Sequence, residues 1–142
     1  MLAAAARRRR GGCGMKRSVL VVRVLLGLIF FVFGLNGILH FMKAPMPEGD
    51  AGTLAGIMAA HGWMTFVAVL QVVGGLLLLV GRYVPLGLVI LAPIIVNILL
   101  FHFLLEPKGV GPGLVTALLE IFLIWVYRRS FRGLFDAAPE IV

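Results

Sequence analysis

VPLGLVILAPIIVNILLFHFLL, residues 84–105, contains no Asp, Glu, Lys or Arg. At about 1.5 Å of rise per residue, a helix of this length crosses the roughly 30 Å hydrocarbon core of a bilayer. Working outward, Ser18 to Leu39, Met64 to Gly81 and Leu114 to Tyr127 are similarly apolar, and Val110 to Gly113 can extend the last one outward. The chain therefore reads as all-α: a polytopic membrane protein with four transmembrane helices at about 18–39, 64–81, 84–105 and 113–127. Its composition agrees, with 61% hydrophobic and 13% charged residues and a mean hydropathy of +1.09. A soluble domain is nearer half apolar and a quarter charged. Four spans leave no room for a soluble catalytic domain.

The connections set the arrangement. Arg82-Tyr83 and Glu106 to Pro112 are short turns, which force consecutive helices to be antiparallel neighbours and give an up-down bundle within a transmembrane domain at 18–136. The first loop, His40 to Trp63, is long. Pro45 and Pro47 break any helix there, and Thr53 to Ala60 can form a brief helix on the outer surface.

The net charge of +7 does not mark a nucleic-acid binder, because the basic residues sit at span ends. With the N-terminus inside, Arg7 to Arg10, Lys16, Arg17, Arg23, Arg82, Arg128, Arg129 and Arg132 are internal, leaving Lys43 and Lys108 external. That asymmetry predicts that both termini are cytoplasmic. Arg23 lies close enough to the inner end of its span to snorkel. Residues 1–17 read as a flexible basic cytoplasmic tail and 137–142 as a short cytoplasmic C-terminal one. A cleaved signal peptide fits poorly, since the following apolar stretch is long and lacks a small-residue cleavage site. Met15 is a second candidate start. The single cysteine, Cys13, excludes an intrachain disulfide or a CxxC redox pair.

Polar groups retained in lipid are costly unless paired, so they are the local clues to function. They are Asn36 and His40 at the end of the first helix, Gln71 in the second, Asn97 and His102 in the third, and Glu120 in the fourth. All six fall between mid-membrane and the outer interface, which predicts one hydrogen-bonded pocket opening outward. Asn36 and His40 share a helix face, as do Thr116 and Glu120, whereas His102 is rotated well away from Asn97. A carboxylate at the depth of Glu120 either pairs with a cation or takes up a proton, and its candidate partners are His40, Gln71, Asn97 and His102. The competing reading is helix packing, for which buried amides commonly serve. Two histidines without a third ligand do not specify a metal, and no catalytic residue is assigned.

The run Gln71-Val-Val-Gly74-Gly75-Leu-Leu-Leu-Leu-Val-Gly81-Arg82-Tyr-Val-Pro85-Leu-Gly-Leu, followed by Ala92-Pro93-Ile-Ile-Val-Asn97-Ile-Leu-Leu-Phe-His102, resembles the DoxX family of small bacterial membrane proteins. Gly34 to Phe41, the proline-bearing loop and the ending Trp125 to Phe135 are also similar to that family. The resemblance implies a four-helix inner-membrane fold and, through the quinone-linked sulfur-oxidising complex that gave the family its name, a redox setting. It implies no catalytic residues. Three functions fit. One is an accessory subunit of a membrane redox system, binding quinone in the outer half of the bundle, with no cofactor held by the chain itself and membrane or redox protein partners. The second is a non-enzymatic assembly or scaffold module. A small-solute carrier is the third, suggested only by the kink expected at Pro93.

Overall fold

A computed structural model describes residues 2–43 and 45–135, and the side chains among them from residue 14 to residue 133. The Cys13 side chain and the tail at 137–142 lie outside the described residues. Five α-helices follow in order: α1 Leu2–Leu39, α2 Gly49–Ala60, α3 Trp63–Val80, α4 Val84–Leu104 and α5 Val110–Val126. Short 3-10 turns cover Pro107–Gly109 and Arg128–Phe135. Among the described residues, four stretches are long and apolar enough to cross a membrane: Gly14–Leu39, Trp63–Val80, Val84–Leu104 and Pro107–Val126. The protein is thus an all-α, multi-pass membrane bundle. α1 packs most extensively on α3, α3 on α4, α4 on α5, and α5 back on α1, closing a four-membered ring.

Two differences from the sequence reading concern α1 and α2. The segment read as a flexible tail is helical from Leu2, because Ala and Arg are strong helix formers and no proline interrupts them before the span. The loop helix begins at Gly49, one turn earlier than Thr53, as soon as Pro47 is passed. Ala51 and Ala55 of α2 are buried, and α2 packs on α3.

Lipid offers no hydrophobic drive for helix association, so close backbone approach does that work. On the α1–α3 seam, a Cβ on Gly34 would sit 2.8 Å from both Ala68 O and Val72 N, and one on Gly75 would sit 2.7 Å from Phe31 N. No side chain fits at either place. The ring encloses Leu26, Leu78, Leu88, Leu91 and Leu123, all at 0% exposure. At the end of the bundle carrying residues 81–83, the chain reverses through positive φ at Gly81 (75°) and Tyr83 (57°). That end also carries the basic residues of α1 and the segment after α5.

Candidate functional site

The six polar residues do not form one pocket. Asn36 and His40 do share the end of α1, but they reverse the chain there. Asn36 Oδ1 accepts a hydrogen bond from Met42 N at 2.6 Å, while His40 N donates to Asn36 O at 2.8 Å. His40 takes a positive φ of 54° and is exposed. Gln71 is half-buried on α3.

Glu120 lies on the buried stripe of α5 with Gly113, Thr116 and Leu123, and is 3% exposed. Gly113 faces Ile98 and Leu99 of α4. Seven residues further along α5, about 10 Å at helical rise, Glu120 comes level with Leu91, which packs on Gly74. Neither of its carboxylate oxygens has a hydrogen-bond partner. The four partners expected from sequence therefore do not bond to it. Thr116, one turn away, instead gives its hydroxyl to Gly113 O at 2.9 Å.

Asn97 and His102 are brought together. Both line a groove of about 320 Å³ between α2, α3 and α4, whose walls include Leu54, Met58, Met64 and Phe101. Around the axis of α4 His102 is rotated well away from Asn97, as their spacing predicts. The groove reaches both because it wraps around the outer turns of α4, where α2 provides a roof. Asn97 is exposed, so its amide faces the groove and not the bundle core. His102 is held by its ring: Nδ1 lies 3.1 Å from Glu106 O, the ring rests against Gly109, and Phe101 meets it edge to face at 5.5 Å. A carbonyl only accepts, so Nδ1 carries the hydrogen in that contact, and the neutral ring keeps Nε2 as an acceptor. The site thus combines an amide donor and an imidazole acceptor on an otherwise apolar surface. Among the described residues, no three of His, Cys, Asp and Glu are placed to hold a metal ion.

Arg23 is the residue whose placement sequence reasoning understated. Its guanidinium turns inward onto Gly81, where any side chain would collide with it, and its Nε is buried without a partner. A lone charge within the first apolar stretch was the available signal.

Over residues 18–103 the chain matches the DoxX family, and it belongs to that family. The match takes in α2 to α4 with almost all of the groove and stops before α5. The chain is also similar to the uncharacterized protein YwoB of Bacillus subtilis (strain 168), at 30% identity over 125 residues, covering 82% of this chain and 81% of the relative. No solved structure matches.

Proposed function

We propose that this DoxX protein is an accessory subunit of a membrane redox system and that the α2–α3–α4 groove holds a quinone or a similar amphipathic molecule. The observation that carries this reading is the presence of Asn97 and His102 on the wall of one otherwise apolar groove at the bundle surface. Its volume falls within the range of small-molecule sites, which combine apolar walls with a few placed polar groups. A bound quinone would supply two-electron, two-proton chemistry. The chain's own part would be to hold and orient the ring oxygens, with Asn97 Nδ2 donating to one of them and His102 Nε2 accepting the hydroxyl hydrogen of the other in the quinol form. Glu120 does not line the groove, so the reading confines ligand contact to those two groups. The single cysteine allows no dithiol pair within the chain, and in this reading electrons reach the quinone from a partner protein.

In this reading the basic residues hold both termini on the cytoplasmic side of a bacterial inner membrane, which sets the groove toward the outer leaflet. Reporters fused at either terminus or near Arg82 should be cytoplasmic and one near Gly49 external.

The test is isolation in native lipid followed by organic extraction. Quinone should co-purify, and Asn97→Leu should lower the retained amount about fivefold, as expected for one lost hydrogen bond. Retention unchanged by Asn97→Leu would overturn the site. Partner proteins recovered without any quinone would favour the assembly-module reading instead.

A further inference from the structure

The end of the bundle that carries Arg82 holds a second cavity, of about 510 Å³, between the start of the first span and the end of α5. Its walls include Lys16, Val19, Arg23, Val126 and Tyr127. Lys16 and Arg23 are seven residues apart, two turns of helix, and so project from the same face about 10 Å apart along the axis. Both side chains are long enough to converge on a single anion between them. Val19 and Val126 supply the apolar remainder of the surface, and Tyr127 suits the interface, where aromatic side chains with a polar tip collect.

The charge at this end is strongly one-sided. The acids among the described residues are Glu48, Asp50 and Glu106, which belong to the opposite end, and Glu120, which is mid-bundle. The remaining two acids of the sequence, Asp136 and Glu140, lie outside the described residues, and eleven basic residues are assigned to the same side. Within it, Arg23 Nε is buried without an acceptor. A guanidinium in this position calls for an oxyanion, and its planar fork matches phosphate in a bidentate contact.

We infer that this cavity is a binding site for one anionic glycerophospholipid, with the headgroup phosphate between Lys16 and Arg23 and the glycerol end of the acyl chains against Val19 and Val126. The occupant is a lipid and not free phosphate because the anion site opens onto an apolar wall at the membrane interface. Basic pockets between transmembrane helices are recurrent sites for anionic headgroups. The site is separate from the α2–α3–α4 groove and does not depend on what that groove binds.

The test uses the full chain purified in neutral detergent and titrated with mixed micelles containing phosphatidylglycerol or phosphatidylcholine. Bound lipid is counted by native mass spectrometry. Phosphatidylglycerol should bind as a discrete single adduct, and phosphatidylcholine should not. Lys16→Gln and Arg23→Gln should each weaken that adduct about fivefold, the contribution of one cation near an anionic surface. Lys108→Gln, at the opposite end, should leave it unchanged. Lys16 is exposed, so its variant reports on the site even if Arg23→Gln does not fold. Equal binding of the two lipids, full retention by Lys16→Gln, or an equal loss in Lys108→Gln would overturn the assignment. Inorganic phosphate competing at the lipid's own concentration would show that the site takes a free anion instead.

Discussion

The two halves of the α3–α4 interface differ in one respect, and that difference locates the groove. Toward the residue 81–83 turn the helices are shut together. A Cβ on Gly74 would sit 2.7 Å from the Leu91 side chain, and one on Gly87 would sit 3.1 Å from Gly74 O. In the other half the facing positions are Met64, Val67, Ile94, Asn97 and Phe101, with no glycine, and there the surface opens. Small residues bring backbones together and leave no space for a ligand, whereas bulky ones hold helices apart. The polar residues follow the same division. Glu120 sits level with the closed half and has no partner, while Asn97 sits in the open half with room in front of it.

The largest expected effect comes from forcing a closed seam apart. Gly34→Leu puts a side chain against backbone atoms of α3, which cannot yield as a flexible side chain would. The variant should lose about 3 kcal/mol or fail to accumulate in the membrane, as judged by unfolding in mixed micelles. Next is Glu120→Leu, which deletes a polar group buried without a partner. It should raise stability by about 1–3 kcal/mol in the same assay, and Glu120→Gln should leave fold and quinone retention intact. A Glu120→Leu variant that is less stable would reveal an interhelical hydrogen bond and blur the contrast between the halves. Gly81→Ala combines a positive φ with loss of the space used by the Arg23 guanidinium, and should cost about 1–2 kcal/mol. Smallest is Asn97→Leu, whose stability should change by less than about 0.5 kcal/mol because the side chain is exposed. A substantial stability loss there would mean Asn97 serves packing and would sharpen the case against a ligand groove.

Spans were legible because length and the absence of charge suffice to find them. The segments read at 64–81 and 84–105 form Trp63–Val80 and Val84–Leu104, and α5 begins at Val110 where the extension had been allowed. Position along each span was legible too, since it follows from counting residues at a fixed rise. What sequence could not supply was azimuth. α4 is apolar on every side, so nothing in its pattern says that Asn97 points at a groove while Glu120, on another helix, points at the core. Nor could it show that the Asn36 side chain would accept a bond from Met42 N at the end of its own helix. That depends on how the chain leaves α1.

The three-residue reversal at Gly81, Arg82 and Tyr83 bears on how the chain is assembled. It joins α3 and α4 beside the Gly74–Leu91 and Gly87–Gly74 contacts, so that hairpin pairs residues close in sequence. The α1–α3 seam, although more extensive, must close across residues 40–62 and therefore carries a larger loop entropy. During synthesis α3 and α4 should consequently pair as a preformed hairpin, with α1 waiting in the bilayer until that surface exists and α5 completing the ring as the last helix to emerge.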